Sequence, residues 1–234
     1  MKVGIMQPYF MPYIGYWQLI NVVEEFVLLD DVNYITRGYI NRNNILLNKK
    51  RYMFSIPVEK ASQNRMIFEM NFRFSEEEKK RFLKTLKSAY GKADYWQQVF
   101  PIIEKIVLYE NENLTDYIEN SIREILTYLG IKKRIIRSSQ IQKNNSLTGE
   151  NRIIEICKCL GADVYINPCG GKDLYDNMHF ENNGIKLFFI NPEMEKIHYS
   201  QFGDEFISYL SIIDVLMFCS KEYILKLLEL YHLE

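Results

Sequence analysis

The first thirty residues of the chain alternate between short apolar runs, a loop interrupted by proline and a segment with helical periodicity. Residues 3–6 form an apolar run of strand length, and the two prolines of the next loop break regular structure because each fixes its own φ angle. Residues 15–23 place apolar side chains on one side of a helix, and residues 26–29 form a second apolar run. This order of strand, loop, helix and strand predicts the opening of a parallel α/β sheet.

Similar patterns continue through the rest of the chain. Apolar runs predict strands at 51–58, 66–72, 134–138, 164–167 and 186–190. Helical periodicity predicts helices at 75–90, 93–110, 114–129, 149–160 and through 211–231. Ser75 suits a helix N-cap, and the helix dipole favours the three glutamates that follow it. We therefore predict one domain, residues 1–234, with a Rossmann-like parallel sheet, a helical insertion at 75–130 and a helical C-terminus.

Composition excludes several function classes. Hydrophobic residues make up 47% of the 234 residues, which is too much for a disordered chain. The net charge is −1, so no basic surface for nucleic acid is expected, and no apolar run is long enough to predict a membrane span. Four cysteines are too few for a disulfide scaffold and predict reduced thiols in the cytoplasm. The three histidines lack ligand spacing, so no metal site is predicted.

The first candidate site lies between the first strand and the first helix, where α/β proteins often bind ligands. Its sequence, Tyr13-Ile14-Gly15-Tyr16, resembles the HxGH loop of nucleotidylyltransferases with both histidines replaced by tyrosine. Tyrosine donates a hydrogen bond but has no positive charge at pH 7, which argues against nucleotidyl transfer by that route. The alternative is that Tyr13 and Tyr16 only pack the helix onto the sheet.

Two polar segments follow directly. Asp30 and Asp31 end the second strand, where one carboxylate can reach a pocket or ribose hydroxyls while the other caps a turn or pairs with Arg37 or Arg42. Turn chemistry and ion pairing alone are the alternative.

Residues 37–43 are dense in arginine, amide and phenol groups, which suit phosphates and sugar hydroxyls. This segment predicts a loop that binds a nucleotide sugar, and a solvated loop is the alternative.

Two candidates lie nearer the C-terminus. Residues 167–175 place two glycines and Lys172 after a strand, which is typical of an anion cradle although the spacing is not that of a Walker A loop. Cys169 in the same segment fits a passive thiol better than a nucleophile, which would need a base beside it. Ser211 followed by Asp214 resembles a capping box, so Asp214 is expected to do no more than cap a helix.

Taken together, these segments resemble the WbqC-like family. The resemblance extends from residue 5 to about residue 218, and its N-terminal part is the most specific. It depends on Gln7-Pro8-Tyr9, Pro12 to Tyr16, Leu29 to Val32, Asn41-Arg42-Asn43, Tyr165, Gly170 to Tyr175, Tyr199 with Gln201, and Leu210 to Asp214.

The resemblance implies a role in bacterial surface polysaccharide biosynthesis, such as O-antigen, lipopolysaccharide or capsule. It implies transfer of an amino acid or acyl group onto an amino sugar that is still nucleotide-linked. The donor would be the thioester of an acyl or peptidyl carrier protein, or an aminoacyl adenylate whose formation here would need ATP and Mg²⁺. The alternative is a non-catalytic protein that binds a nucleotide sugar, or acts as a scaffold, with a degenerate nucleotidyltransferase-like pocket.

The matched positions and their chemistry define the predicted site. The predicted catalytic residues are Tyr13, Tyr16, Asp30 and Asp31. The predicted substrate-binding residues are Gln7, Tyr9, Gly15, Arg37, Asn41, Arg42, Gly171, Lys172, Tyr175 and Gln201. Residues 1–40 contain eight aromatic residues, or 20%, against 14% in the whole chain. Phenols in loops can stack on a base or sugar while hydrogen-bonding, so this N-terminal cluster is where we expect the ligand.

Overall fold

The computed structural model describes residues 1–203 and 205–234. Its strands are β1 (Lys2–Met6), β2 (Glu25–Leu28), β3 (Arg42–Leu47), β4 (Lys50–Ser55), β5 (Arg134–Arg137), β6 (Val164–Pro168), β7 (Lys186–Pro192) and β8 (Tyr231–Leu233). Its helices are α1 (Ile14–Val22), α2 (Glu76–Tyr90), α3 (Trp96–Val107), α4 (Leu114–Leu129), α5 (Gly149–Leu160), α6 (Asn177–Asn182), α7 (Ile212–Phe218) and α8 (Lys221–Leu227). No helix in these two ranges is both long and apolar enough to cross a membrane.

The central sheet confirms the predicted mixed α/β fold. Its six strands have the order β5-β2-β1-β6-β7-β8, and all neighbours are parallel except β7 and β8. The five parallel strands thus follow the doubly wound order third, second, first, fourth, fifth. The chain builds outward from β1 through β2 to β5 and then returns to β6 on the other side of β1. The topological switch point therefore lies between β1 and β6, where such folds bind ligands.

Both faces of the sheet are covered, which explains why β1 and β2 are apolar after their first residues, Lys2 and Glu25. Val3 and Ile5 are buried in one core, which includes residues of α5 and α6. Phe26 and Leu28 are buried in the other core, which includes residues of α1 to α4, α7 and α8. Gly4 allows close packing of α1, because a Cβ atom at that position would lie 3.2 Å from the Leu19 side chain.

The helical segment predicted at 75–130 contains α2, α3 and α4, which lie between β4 and β5 in the chain. Ser75 caps α2 as predicted, since its hydroxyl accepts from the Glu78 amide at 3.3 Å and the Glu78 carboxylate accepts from the Ser75 amide at 2.9 Å. Helix α4 ends before Gly130, whose φ angle of 73° is accessible to glycine without strain. The organisation into one domain stays a prediction.

The prediction of a strand at 66–72 is wrong. Residues Ile67–Glu69 form a 3₁₀ turn, and the flanking residues make only isolated bridges. Ile67 and Met70 are both fully buried, and their separation of three residues is the repeat of a 3₁₀ helix. Alternating apolar and polar residues over so short a segment do not distinguish this turn from a strand.

Two further segments differ from the sequence prediction. The C-terminal segment is not one helix, because α7 and α8 are separated at Cys219 and Ser220 and the chain then forms β8. Ser220 begins α8 by accepting a hydrogen bond from the amide of Tyr223 at 3.2 Å. Residues Arg42–Leu47, partly assigned to a loop from their polarity, form β3 and pair with β4 in an antiparallel hairpin.

Candidate functional site

A cavity of about 360 Å³ opens at the switch point of the sheet. Met6 at the end of β1 and Pro168 at the end of β6 line its floor. The other walls come from residues 7–9, the start of α1 and the segment 35–40. This is the region in which the N-terminal motifs predict the ligand.

A second cavity of about 340 Å³ adjoins the first, because Tyr9, Tyr13 and Tyr39 line both. Its remaining walls are Asn43, Asn44, Arg51 and Tyr209. We refer to the two together as the aromatic cleft. Both volumes lie within the range of about 300–1,000 Å³ that is typical of ligand pockets.

The tyrosines of the aromatic cleft are spaced in pairs. The ring centroids of Tyr9 and Tyr39 are 5.9 Å apart, and those of Tyr13 and Tyr209 are 6.0 Å apart. Tyr39 is 62% exposed and Tyr209 is 53% exposed, so their faces are accessible to a ligand. Such an arrangement offers flat apolar faces together with phenolic hydroxyls.

The positions of Tyr13 and Gly15 depend on each other. The Tyr13 ring lies over the Cα atom of Gly15, where a Cβ atom would approach the ring to 2.5 Å. The loop before Tyr13 is fixed from α7, since Ser211 donates to the Met11 carbonyl at 2.8 Å and the Ile212 amide donates to the Pro12 carbonyl at 2.9 Å. The spacing Tyr-x-Gly is therefore a packing requirement of the cleft.

The phenols of the cleft act as hydrogen-bond donors at neutral pH. Burial raises the pKa of Tyr13 to about 12, and it raises the pKa of Tyr9 well above the ordinary value. Burial also raises the pKa of Tyr16, whose hydroxyl already donates to the Gln7 carbonyl at 3.0 Å and whose ring packs on Phe26. Tyr16 thus connects α1 to the sheet, and Tyr13 keeps its hydroxyl in the cavity wall.

Arg51 lines the cleft, whereas the predicted Arg37 and Arg42 do not, although Arg42 lies beside the cleft residue Tyr39. The Arg42 guanidinium carbon is 5.6 Å from the centroid of the Tyr39 ring, and the same guanidinium donates to the Arg37 carbonyl. Arg51 donates to the Ser208 carbonyl at 2.8 Å. The side chain of Arg37 is exposed. In the part of the chain that the structure describes, no Asp, Glu or His lines either cavity of the cleft.

Asn41 and Asn43 hold the hairpin in place. The Asn41 amide donates to the Ile56 carbonyl at 2.8 Å, and its oxygen accepts from the Tyr34 hydroxyl at 3.1 Å. Asn43 is buried and donates to the Met11 carbonyl at 2.6 Å. These amides therefore position the walls of the cleft through the backbone.

Asp30 and Asp31 lie outside the aromatic cleft, in a buried network at the ends of β2 and β5. Asp30 accepts from the amide of Ser139 at 2.9 Å and from its hydroxyl at 2.8 Å. Burial raises the pKa of Asp30 against the effect of these bonds. Burial opposes the charge of Asp31 too, but hydrogen bonds from Lys143 and Ser138 outweigh it and lower the pKa.

The expected pairing of these acids with Arg37 or Arg42 is wrong. Asp31 instead pairs with Lys143 at 2.5 Å and with Arg152 at 3.6 Å. Both partners follow β5, more than 100 residues along the chain, and the parallel sheet places the ends of β2 and β5 side by side. No local pattern in the sequence predicts this pairing.

The predicted anion cradle forms a 3₁₀ turn, Cys169–Leu174, beyond β6. Lys172 pairs with Glu234 and lies 5.9 Å from the centroid of the Phe189 ring. Gly171 faces the Asn167 side chain, which a Cβ atom there would overlap. Tyr175 packs edge-on against Tyr165 at 5.8 Å, on the face of the sheet that carries α5 and α6. Lys172, Gly171 and Tyr175 do not line the aromatic cleft. Of the predicted segment 167–175, only Pro168 does.

Gln201 belongs to a buried cluster around Asp214. The Asp214 carboxylate accepts from Tyr90 and Tyr199 at 2.8 Å each and from Gln201 at 2.6 Å. Burial raises the pKa of Asp214 to about 6. The expectation that Asp214 only caps a helix therefore missed its main contacts, although Ser211 caps α7 as predicted.

Gln201 also holds the loop that carries Tyr209. Its side-chain amide donates to the Ile207 carbonyl at 3.1 Å, and its oxygen accepts from the Ile207 amide at 2.8 Å. Tyr209 follows with a φ angle of 57°, which is uncommon for a residue with a side chain. Sequence reasoning missed Tyr209 and Arg51 as cleft residues, and no local signal marks either.

Groups of three or more His, Cys, Asp or Glu residues with the geometry to hold a metal ion are absent from residues 1–203 and 205–234.

The family model described as the WbqC-like protein family matches residues 7–225 of the chain. An uncharacterized protein of Mycobacterium tuberculosis, Rv1507c, is 24% identical over 216 residues, which cover 92% of each chain. No solved structure matches the chain.

Proposed function

Because the chain belongs to the WbqC-like protein family, we propose that it is a transferase that attaches an amino acid or acyl group to a nucleotide-linked amino sugar. Membership of this family suggests a role in polysaccharide biosynthesis. The observation that supports the finer proposal is the aromatic cleft at the switch point, where a phenol-lined cavity adjoins one edged by arginine.

The shape and chemistry of the cleft suit a nucleotide sugar. A base can stack on the exposed face of Tyr39 or Tyr209, because aromatic faces bind planar rings without requiring a particular base. Arg42 and Arg51 are near enough to the cleft to meet a diphosphate, for which the guanidinium fork is well suited. The phenols and Asn44 offer hydrogen bonds to sugar hydroxyls.

The transfer itself requires an amine and an activated acyl group in contact. With a carrier-protein thioester as donor, the amine nitrogen of the sugar forms the new C–N bond, the C–S bond breaks, and the amine proton leaves with the thiol. Tyr13 keeps its proton at neutral pH, so it can donate a hydrogen bond to the oxyanion of the tetrahedral intermediate. In this proposal Tyr13 is the catalytic residue, and it stabilises charge without accepting the proton.

One observation favours the alternative of a non-catalytic nucleotide-sugar-binding protein. Among the described residues, the cleft has no Asp, Glu or His in its walls to act as a general base. The acids predicted for this role, Asp30 and Asp31, are held in the neighbouring network.

The test is to incubate the protein with a nucleotide-linked 4-amino sugar and an acyl-loaded carrier protein and to detect acylated sugar by mass spectrometry. We expect product, and we expect Tyr13→Phe to lower its rate by about a hundredfold while the affinity for the nucleotide sugar is kept. Tyr52→Phe is the matched control, because Tyr52 is an exposed tyrosine on β4 outside the cleft. Tight nucleotide-sugar binding with no product from any donor would establish the binding protein instead.

A further inference from the structure

A separate cavity of about 500 Å³ lies at the ends of β2 and β5. It is lined by Asp31, Met66, Phe68, Ser139, Asn145 and Arg152, and we refer to it as the Asp31 cavity. It shares no lining residue with the aromatic cleft. Like the cleft, it opens beyond the carboxyl ends of parallel strands, where α/β sheets bind ligands.

One wall of the Asp31 cavity is apolar and open. Met66 precedes the 3₁₀ turn and Phe68 lies within it; they are 39% and 37% exposed, although their chain segment is fixed by the backbone. The amide of Phe68 donates to the Asp30 carbonyl at 2.9 Å, and its carbonyl accepts from Asn113 at 2.8 Å. The two side chains thus form a fixed apolar surface facing polar groups.

The opposite wall keeps unused hydrogen-bonding capacity. The Arg152 guanidinium has five N–H groups and donates to three backbone carbonyls, those of Asp31, Asn145 and Leu147, which leaves two N–H groups. One of these faces the Asp31 carboxylate at 3.6 Å, so at least one is left for a ligand. The Ser139 hydroxyl donates to Asp30, so its oxygen can still accept. This wall therefore offers a ligand a hydrogen-bond donor from Arg152 and a hydrogen-bond acceptor from Ser139.

The charges around the cavity balance. Asp31 is paired with Lys143 and Arg152, and Asp30 lies behind Ser139. When all four groups are ionised their charges sum to zero, so a ligand with net charge would leave a charge uncompensated near a buried network. A ligand with no net charge but with both a cationic and an anionic end fits this balance.

We propose that the Asp31 cavity binds an apolar α-amino acid as its zwitterion. The ammonium group would donate to Asp31 and Ser139, the carboxylate would accept from Arg152 and Asn145, and the side chain would pack on Met66 and Phe68. The proposed transfer would use such an amino acid only after its carboxylate had been activated, for example as the carrier-protein thioester, and that connection rests on the proposed function. The binding itself does not depend on it.

Calorimetry on the full chain tests the proposal with L-leucine, L-leucinamide and 4-methylpentanoate. Leucinamide lacks the carboxylate and 4-methylpentanoate lacks the ammonium group, so each loses one charged set of hydrogen bonds. We expect leucine to bind and each analogue to bind at least about tenfold more weakly. Absence of binding by leucine, methionine and phenylalanine, or equal affinity for the analogues, would overturn the proposal.

Two surface variants locate the ligand. Phe68→Ser and Asn145→Ala should each weaken leucine binding by about threefold or more, since one removes apolar contact and the other a hydrogen bond. Leu108→Ser is the matched control, because Leu108 is 43% exposed and does not line the cavity. Unchanged leucine affinity in both variants would contradict the assignment.

A parallel titration with nucleotide sugar separates this proposal from the proposed function. Nucleotide-sugar binding without binding of leucine, methionine or phenylalanine overturns only the amino-acid site. Leucine binding without acylated product in the mass-spectrometric assay supports the site while the transferase proposal fails.

Discussion

The buried carboxylate of Asp214 should make the stability of the protein fall as pH rises from about 4 to 6. Burial raises its pKa from the ordinary 3.8 to about 6 in the folded chain. Between these two values the folded state holds a proton that the unfolded state has released. Stability from this group is therefore fully present below about 4 and is lost as pH rises through about 6. The gap between the two pKa values corresponds to about 3 kcal/mol.

The assay compares urea unfolding of the natural chain and of Asp214→Asn between pH 4 and 7. Asparagine does not titrate, so the contribution of Asp214 disappears in the variant while the other groups titrate alike in both proteins. We expect the free energy of unfolding of the natural chain, minus that of the variant, to fall by about 2.4 kcal/mol across this range, since pH 4 already lies just above the ordinary pKa. The absolute effect of the substitution at one pH does not matter, because only the slope is compared.

Asp173→Asn is the control for this measurement, because Asp173 is exposed. The same difference measured for this exposed carboxylate supplies the baseline between pH 4 and 7. A curve for Asp214→Asn that does not differ from this baseline would refute the prediction, since the burial of Asp214 among Tyr90, Tyr199 and Gln201 would then have no effect on its titration.

Two further predictions concern the cleft. Gly15→Ala should displace the Tyr13 ring and lower nucleotide-sugar affinity by about tenfold in calorimetry, with little change in thermal stability. An affinity equal to that of the natural chain would mean that the Tyr13 ring is not part of the site. Arg42→Ala should weaken the same binding by about tenfold, whereas Lys172→Ala should leave it unchanged because its ammonium group pairs with Glu234. If Lys172→Ala weakened nucleotide-sugar binding and Arg42→Ala did not, the phosphates would bind at the predicted anion cradle instead.

Local signals in the sequence were sufficient for most of the sheet and helices. The bounds predicted for α4 and α5 agree with the structure, because a capping residue begins each pattern or a left-handed glycine ends it. The hairpin strand β3 was missed because it begins with three polar residues. One of these, Asn43, is buried only because the Met11 carbonyl, 32 residues earlier in the chain, accepts its hydrogen bond.

The candidate site could be predicted only in part for the same reason. Tyr9, Tyr13 and Gly15 are close in sequence and line one cavity together, as the motif suggests. Arg51 reaches the cleft from the hairpin strand β4, and Tyr209 reaches it from the loop before α7. No periodicity in the sequence indicates that these two residues lie near the N-terminal tyrosines. Conversely, Lys172 has the chemistry of a phosphate ligand but is drawn to Glu234 at the edge of the sheet.

The three tyrosines that line both halves of the cleft have a consequence for mutational energetics. A substitution of Tyr39 alters the wall of both cavities at once, so its effect on a ligand that occupies both halves cannot be assigned to either half. The free-energy changes for Tyr9 and Tyr39 should therefore fail to add in a double-mutant cycle, since their rings are neighbours at 5.9 Å. Met6 and Arg51 line different halves and should show nearly additive effects.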